Sequence, residues 1–422
     1  MLKQMITHNN KDNPLSHPAS RLAKQGRLMP ALLASASLMA CTTVAAVSPV
    51  PNDIASSLKL APGFSISTFA KLNPGKGEAF REPRFMAFGP DGNLYVASSS
   101  DDKIYMLPDS NHDGVADEIV TAVTGLNAPN SLIFADGKML VSNQDGVVRV
   151  VQESGKWPAK KLEPIIKGLP TGGHTLKTVR LGPDKHLYLN VGSSCNVCVE
   201  KDPLRATILR YTLDGEPAGS PDGSVSGSKS AVWASGLRNS QGMAWQPGSH
   251  DLYATNNGAD MRSGTKDGAA NDELPPEHIN HIEPGKHYGW PHCWGKQFTD
   301  PNFPGKPGFC ATTQPPAITI RAHTTPLGIT FLDQAKFPSE YKQDAIVALH
   351  GSWNRTEPDG YKLVRVKFKA GKPVAVEDFV SGWLQGKSAW GRPVDVVVGP
   401  DGALYVSDDR AGLIYRIHYN KN

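Results

Sequence analysis

Nearly the same ten residues occur near both ends of the chain, as GPDGNLYVAS at 89–98 and GPDGALYVSD at 399–408. In both copies an Asp-Gly pair precedes a segment of apolar residues. Asp-Gly readily adopts the positive φ angles of a tight turn, and short apolar segments next to such turns are typical of β-strands. The motif therefore predicts a β-hairpin that the chain uses more than once.

Four weaker copies lie between these two. They are FADGKMLVSN at 134–143, GPDKHLYLNV at 182–191, QPGSHDLYAT at 246–255 and YKQDAIVALHG at 341–351. A further strand-like segment follows each copy, which is the pattern of repeated sheet modules, and 41 Gly and 34 Pro agree with many turns. We predict an all-β fold, a single six-bladed β-propeller over residues 53–422. The segment GFSISTFA (63–70) is expected to complete the last blade and close the ring.

The apolar segment before each hairpin is expected to be the innermost strand of its blade, with its first residues at the mouth of the central channel. These starts collect the polar side chains Arg84, Asn130, His174, Arg238, Asn239, His323 and Arg392, with Glu82 as the acidic exception. Several guanidinium groups at one mouth favour an anionic ligand with several carboxylates. A neutral His among cations has a lowered pKa, which suits a general base near neutral pH.

Several separated segments resemble one enzyme family. GLRNSQGMAW (236–245) and HYGWPHCWG (287–295) resemble the signature of the pyrroloquinoline-quinone-dependent glucose/sorbosone dehydrogenases. GGHTLKTVRLGPD (172–184), DAIVALHGSWNR (344–355) and WGRPVDVVVGPDG (390–402) are similar to the sorbosone-dehydrogenase branch of that family. The resemblance implies a quinoprotein oxidoreductase that transfers hydride from a sugar (an aldose, a sorbosone-like sugar aldehyde or a polyol) to pyrroloquinoline quinone, with Ca²⁺ as second cofactor.

The resemblance also implies roles for individual residues. His174 would take the substrate hydroxyl proton, while Arg238 and Asn239 would contact the quinone carbonyl region, where negative charge develops. The further cofactor contacts implied are Arg84, His323, His350, Asn354, Arg355 and Arg392, the last of these with a cofactor carboxylate. Backbone oxygens of Gly258 and Ala259 would bind the cofactor Ca²⁺.

One position departs from the glucose-oxidising branch. Ser193 stands where that branch has an Asp that orients the catalytic His. A Ser can hydrogen-bond an imidazole but cannot stabilise an imidazolium by charge. We therefore do not expect glucose to be the preferred substrate.

Two other functions remain open at this point. A calcium-dependent, lactonase-like hydrolase would need carboxylate side chains converging on a metal, and the strand starts are mostly Arg, His and Asn. A non-catalytic ligand-binding propeller would be compatible with Ser193. A net charge of +4 without a basic stripe predicts no nucleic-acid partner. Since the sequence contains no haem motif, we expect an external electron acceptor, a quinone or a cytochrome.

The segment PDSNHDGVADE (108–118) resembles an EF-hand calcium loop. Its alternating oxygen-bearing residues are Asp109, Asn111, Asp113 and Asp117. The match is partial, because Val120 occupies the position where a bidentate Glu is expected. A structural Ca²⁺ and a simple polar hairpin are both open alternatives.

Four cysteines follow the leader. CNVC at 195–198 lacks the His of a haem attachment site and the helix context of a redox motif, which favours a local disulfide between Cys195 and Cys198. Cys293 would then pair with Cys310, although four cysteines allow three connectivities and the spacing alone does not choose among them.

Residues 1–41 are predicted to be an export signal. Basic residues precede an apolar run, Leu28 to Ala40, that is too short to span a bilayer and ends at Cys41 in a lipobox-like sequence. We expect lipidation of Cys41, a location on the periplasmic side of a bacterial membrane, and membrane contact only through that lipid. An ordinary cleaved secretory signal is the alternative. Residues 42–52 would be a linker.

Overall fold

A computed structural model describes residues 46–47, 49–73, 81–152, 155–221 and 230–420. The chain divides into two units, Met1–Cys41 and Thr42–Asn422, and the first unit lies outside the described residues. Cys41 and its predicted lipidation therefore lie outside them as well. The second unit contains six antiparallel sheets arranged as a propeller, which confirms the predicted fold class.

Each blade has four main strands, counted outward from the channel. They are Pro83–Phe88, Leu94–Ser98, Lys103–Leu107 and Val120–Val123 in blade 1; Ser131–Ala135, Lys138–Asn143, Gly146–Val151 and Lys161–Ile166 in blade 2; Val179–Leu181, Leu187–Val191, Thr207–Tyr211 and Val232–Ser235 in blade 3; Met243–Trp245, Leu252–Asn256, Glu277–Ile282 and Ile318–Ile320 in blade 4; Pro326–Phe331, Ala345–Leu349, Lys362–Lys369 and Lys372–Ser381 in blade 5; and Pro393–Val398, Leu404–Asp408, Leu413–Tyr419 and Phe64–Lys71 in blade 6.

Blade 6 is completed by a strand from the other end of the chain. Phe64–Lys71 pairs antiparallel with Leu413–Tyr419, so Phe64 lies opposite Tyr419 and Ile66 opposite Ile417. This pairing confirms the predicted ring closure.

The remaining elements are short. They are the helix Ile54–Ser57, the 3-10 helices Phe309–Thr312 and Ser339–Tyr341, and the strands Ala46–Val47, Lys59–Leu60, Cys293–Trp294, Phe298–Thr299, Leu384–Gln385 and Ser388–Ala389. Ala46–Val47, inside the predicted linker, pairs in parallel with Ser388–Ala389. Among the described residues, no helix is both long and apolar enough to cross a bilayer.

The copies of the repeated motif share one hydrogen bond between a turn and the strand that follows it. The Asp of the turn accepts a hydrogen bond from the hydroxyl of the Tyr four residues later, which fixes the turn to the strand. Tyr95 donates to Asp91 at 2.8 Å, Tyr188 to Asp184 at 3.0 Å and Tyr405 to Asp401 at 3.1 Å. The turn residues Gly92 and Gly402 both have φ of 80°. A glycine adopts this conformation without a steric penalty.

The tyrosine of the motif also joins neighbouring blades. Its ring meets, edge to face, an aromatic ring on the innermost strand of the next blade. The ring centroids are 5.1 Å apart for Tyr95 and Phe134, 5.2 Å for Tyr188 and Trp245, 6.0 Å for Tyr253 and Phe331, and 5.1 Å for Tyr405 and Phe88. The tyrosine of the motif therefore supplies an aromatic contact at four of the six junctions between blades.

Candidate active site at the channel mouth

The channel mouth is formed by two sets of strand ends. Because the first two strands of a blade are antiparallel, the start of the innermost strand lies beside the end of the second strand. Pro393 is opposite Asp408 in blade 6, and the His350 amide donates to the Thr325 carbonyl in blade 5. Below the mouth, Phe85, Leu327 and Val394 form a buried apolar cluster. The mouth is thus a polar cup above an apolar base.

One half of the cup is organised by Asp409, and we call this group the Asp409 cluster. Arg84 donates to Asp409 at 2.7 Å, Arg392 donates to it at 2.6 Å, and His350 lies at 3.0 Å. Burial opposes ionisation of Asp409, but His350 and the charges of Arg392 and Arg84 outweigh it and keep the pKa of Asp409 below its ordinary value. The carboxylate is therefore the fixed anion of this half.

Arg84 and Arg392 differ in how many of their guanidinium nitrogens are available to a ligand. All three nitrogens of Arg84 are engaged, with Asn130, Asp409 and Gln241 as acceptors. Arg392 uses its Nε on Asp409, and its two terminal nitrogens have no hydrogen bond within the described part of the chain. The Arg392 side chain is 30% exposed, against 7% for Arg84. Arg392 is thus the guanidinium of this cluster that can receive an external carboxylate.

The other half of the cup is organised by Asp260, and we call it the Asp260 cluster. Arg238 and Asn354 each donate to the Asp260 carboxylate at 2.9 Å, and His323 Nδ1 lies 3.8 Å from it. Asn196 also belongs to the cluster, because its side-chain oxygen accepts the Asp260 amide at 2.7 Å. The structure therefore brings the predicted residues Arg238, His323 and Asn354 together around one carboxylate.

His174 lies beside the Asp260 cluster with one ring nitrogen committed. Its Nδ1 is 3.0 Å from the Ser193 hydroxyl oxygen and 3.2 Å from the Ser193 carbonyl. The Ser193 hydroxyl donates its only hydrogen to the Cys195 carbonyl at 2.6 Å. Both Ser193 atoms can therefore only accept from the imidazole, which places the proton on Nδ1. The Nε2 lone pair then has no hydrogen bond within the part of the chain that the structure describes.

The charge state of His174 also suits a base. Burial and then the neighbouring Arg238 charge lower the pKa of His174 to about 4. The imidazole is therefore neutral near neutral pH, and its free nitrogen can accept a proton. The Ser that replaces the Asp of the glucose-oxidising branch thus fixes the tautomer while leaving the imidazole uncharged.

Two cationic side chains, one buried and one half-buried, hold the segment that carries His174. Lys177 is fully buried and donates to the carbonyls of Gln144, Pro170 and Thr175, at 2.5, 2.8 and 3.0 Å. Arg205 donates to the Gly172 carbonyl at 3.1 Å. These bonds tie the His174 segment to blade 2 and to the third strand of blade 3.

Gly258 and Ala259 lie in the loop that leads to Asp260. The Gly258 amide donates to buried Glu277, whose pKa is raised by burial to about 7. Among the described residues, the buried Oδ1 atoms of Asn239, Asn257 and Asn354 have no hydrogen-bond partner. The Asn257 amide donates to the Asn239 carbonyl at 2.9 Å, so two of these residues adjoin the Gly258 loop. Carbonyl oxygens without donors are the ligands that Ca²⁺ prefers, so this loop fits the predicted ion.

Arg355 lies deeper than the other predicted contacts. It is 2% exposed and donates to the Asp272 and Ala322 carbonyls and to Glu273 at 2.7 Å. These bonds hold the loop after Asp260 against blade 5. The predicted contact of Arg355 with the cofactor stays a prediction.

The loop with Asp109, Asn111, Asp113 and Asp117 lies beside blade 6, next to Arg416. Its carboxylates accept backbone amides of the same loop: Asp109 from Asp113 and Gly114, Asp113 from Val115, and Asp117 from Ser110. These bonds account for the polar hairpin, and the predicted ion stays a prediction.

Both predicted disulfides are present. Cys195–Cys198 and Cys293–Cys310 have Cα separations of 6.2 and 5.7 Å. The first lies next to Ser193 at the mouth, and the second ties together the loop between the third and fourth strands of blade 4.

Sequence reasoning missed the two carboxylates that organise the mouth. Glu82 is the one acidic residue among the starts of the innermost strands, so these starts alone predict a mainly cationic mouth. Asp260 and Asp409 follow second strands instead. The antiparallel pairing within a blade was the signal that would have placed both at the mouth.

Comparison with known proteins identifies the family. The sequence model described as TrAA12-like matches residues 58–420, which include all six blades. A functionally uncharacterised protein of Borreliella burgdorferi is 30% identical over 92% of this chain and 97% of its own length. A pyrroloquinoline-quinone-dependent pyranose dehydrogenase of Coprinopsis cinerea is 25% identical, with the match covering 79% of this chain and 52% of that protein.

The solved quinone domain of a Coprinopsis cinerea pyranose dehydrogenase has the same fold. It superposes with a TM-score of 0.70 at 21% identity, over 86% of this chain and 97% of the domain. Membership of the sorbosone-dehydrogenase branch stays a prediction. The chain belongs to the TrAA12-like family, among the relatives of the pyrroloquinoline-quinone-dependent sugar dehydrogenases.

Proposed function

We propose that this protein is a quinoprotein dehydrogenase that oxidises a sugar hydroxyl, with pyrroloquinoline quinone and Ca²⁺ as cofactors. The observation that carries the proposal is the free Nε2 of His174, a neutral base of fixed tautomer beside Arg238. When bound, the quinone would accept hydride from the sugar carbon and the Ca²⁺ would polarise the quinone.

His174 acts on the proton of the sugar hydroxyl. Its Nε2 takes this proton as the C–H bond breaks, and Ser193 retains the Nδ1 proton throughout. Arg238 has an Nη1 without a hydrogen bond in the described residues, and this group can stabilise negative charge next to the base.

Different parts of the cup would hold the two cofactors. The terminal nitrogens of Arg392 suit a quinone carboxylate, with Arg84 and His350 behind it through Asp409. The carbonyl oxygens of Gly258 and Ala259, with the unpaired oxygens of Asn239 and Asn257, suit the Ca²⁺.

The substrate would be an aldose, a sorbosone-like sugar aldehyde or a polyol, and electrons would leave to an external quinone or cytochrome. The Coprinopsis relative acts on pyranoses, which supports the sugar class. A lactonase mechanism has less support, because Asp260 and Asp409 are both bound by guanidinium groups and are not free to bind a metal.

Titration with the quinone tests the proposal. Purified protein is mixed with pyrroloquinoline quinone and Ca²⁺, its ultraviolet–visible spectrum is followed, and a panel of aldoses and polyols is then added anaerobically. We expect stoichiometric binding, bleaching by at least one sugar, and dye reduction that requires both cofactors. Arg392→Gln should weaken quinone binding. A chain that takes up no quinone, or takes it up without reduction by any sugar, would refute the proposal.

We also propose that the protein is exported and anchored by lipid at Cys41. The support is the apolar run that ends in Leu38, Met39, Ala40 and Cys41. Metabolic labelling with a fatty acid should mark the parent chain and not Cys41→Ala. Equal labelling of both chains, or none of either, would contradict the anchor.

A further inference from the structure

We propose that the ring closed by the Cys195–Cys198 disulfide is a positioning device for the active site, and that Asn196 inside it is a positioning residue for Arg238 and Asp260. The inference rests on the proposed function and extends it to residues outside the predicted site.

Asn196 contacts both charged members of the Asp260 cluster. Its carbonyl accepts Arg238 Nε at 3.1 Å, and its side-chain oxygen accepts Arg238 Nη2 at 2.9 Å. The same side-chain oxygen accepts the Asp260 amide at 2.7 Å, and the side-chain nitrogen donates to the Asp260 carbonyl at 2.8 Å. One residue therefore fixes the direction of the guanidinium and the backbone position of its carboxylate partner.

The ring reaches the base as well. The Cys195 carbonyl takes the Ser193 hydroxyl hydrogen at 2.6 Å, and this bond makes Ser193 an acceptor for His174. Two successive carbonyls, those of Cys195 and Asn196, thus orient His174 and Arg238 in turn. Trp290 gives the ring a further anchor, since its Nε1 donates to the Asn196 carbonyl at 3.1 Å.

The disulfide explains how an exposed loop can perform this task. Asn196 itself is exposed, and an unrestrained loop of this kind would sample many conformations. The cross-link removes most of them and leaves the two carbonyls in place. Catalytic groups need support of this kind, since small displacements cost large factors in rate.

The first experiment uses Asn196→Ala. The substitution removes three side-chain hydrogen bonds and keeps the backbone carbonyl. We expect kcat/KM to fall about 10- to 100-fold, mainly through kcat, because Arg238 stabilises negative charge that develops during the reaction. Val199→Ala is the matched control, since Val199 is 67% exposed in the same loop, and we expect it to stay within about twofold of the parent.

The second experiment needs no cofactor. Imidazole ¹⁵N spectra of the cofactor-free parent, assigned with His174→Gln, should show His174 with its proton on Nδ1. In the paired variant Cys195→Ser/Cys198→Ser the ring opens and the Cys195 carbonyl no longer holds the Ser193 hydroxyl hydrogen. The hydroxyl can then donate this hydrogen to Nδ1 of His174, and we expect a mixture of tautomers. The Cys293→Ser/Cys310→Ser pair is the control and should leave the His174 signals unchanged, since neither of these buried cysteines has a hydrogen bond to His174 or Ser193 among the described residues.

The outcomes test the positioning role of the ring and that of Asn196 separately from the proposed function. An unchanged His174 tautomer after loss of Cys195–Cys198 overturns the positioning role of the ring, as does an equal change in both disulfide pairs. Normal kcat in Asn196→Ala overturns the role of Asn196. If the parent binds no quinone, the proposed function fails, while the spectra still decide whether the ring orients His174.

Discussion

The two halves of the cup have the same arrangement of charges but differ in which side-chain groups can contact a ligand. In each, a carboxylate holds guanidinium and imidazole groups that come from several blades. The Asp409 side chain is 2% exposed and binds two guanidinium groups, whereas the Asp260 side chain is 21% exposed and binds one. Beside Asp260 the His174 Nε2 remains free, whereas His350 Nε2 is bound to Asp409.

This difference indicates a structural role for one half of the cup and a direct role in the reaction for the other. A fully buried, neutralised carboxylate fixes geometry, since removing either partner leaves an unpaired charge in a poorly solvated place. A partly exposed cluster with free donors and a free base can exchange its contacts with a ligand. We therefore propose that the Asp260 half carries out proton transfer, and that the Asp409 half holds Arg392 in place to receive a cofactor carboxylate.

The largest effect is expected from His174→Gln. Loss of the base should lower kcat about 100- to 10,000-fold, with quinone binding within a few-fold of the parent. Steady-state dye reduction and the quinone titration measure these two quantities. His281→Gln, at a half-buried position in the third strand of blade 4, is the matched control. If His350→Gln slows turnover as much as His174→Gln while both proteins stay folded, the assignment of the base to one half is wrong.

Asp409→Asn should affect stability more than Asp260→Asn. We expect the free energy of unfolding to fall by about 3–5 kcal/mol for Asp409→Asn, because Arg84 and Arg392 lose a buried counter-charge. For the more exposed Asp260, about 1–2 kcal/mol is expected. Denaturant unfolding of the two variants side by side makes the measurement. Equal losses would remove the distinction between the halves.

The pH dependence of kcat/KM should follow His174. Its lowered pKa of about 4 means that the base is neutral above this pH and is lost by protonation below it. The acidic limb should therefore lie near pH 4. In Ser193→Asp a carboxylate would stabilise the imidazolium, which raises the pKa and moves the limb to higher pH by about one to two units. A limb that stays in place would show that another group controls it.

The smallest effect is expected from Ser193→Ala. The Ser193 carbonyl, 3.2 Å from Nδ1, still accepts the ring proton, so the tautomer is largely kept. We expect kcat/KM to fall roughly three- to tenfold, the value of one neutral hydrogen bond. Steady-state kinetics at pH 7 measure it. A loss as large as that of His174→Gln would mean that the hydroxyl has a direct part in the reaction.

The sequence predicts the inner strands of this fold well and the outer ones poorly. Turn chemistry and apolar alternation are local, so Asp91, Asp184 and Asp401 mark their hairpins directly. The outermost strand of blade 2, Lys161–Ile166, contains Pro164 and is largely exposed, so it lacks the pattern. Pairing with Gly146–Val151 makes it a strand, and pairing is a tertiary effect.

Sequence patterns place a residue at the channel mouth where its position at the start of an innermost strand is sufficient. His174, Arg238 and Arg392 stand at strand starts that the repeat brings into alignment. Asn196 had no such signal, because its contacts with Arg238 and Asp260 depend on the path of a loop. The balance between guanidinium groups and carboxylates likewise depends on distances between blades, which no local pattern encodes.

The closure of blade 6 has a consequence for biosynthesis. Asn420 donates to Ser65 at 2.7 Å across 355 positions of sequence, and Asp409 and Arg392 lie in the same late segment. The Asp409 half of the cup is therefore absent from any nascent chain that has not yet reached blade 6. Until then Arg84 lacks the carboxylate that binds it in the folded protein, so a chain that is incomplete at its C-terminal end cannot assemble this half of the mouth.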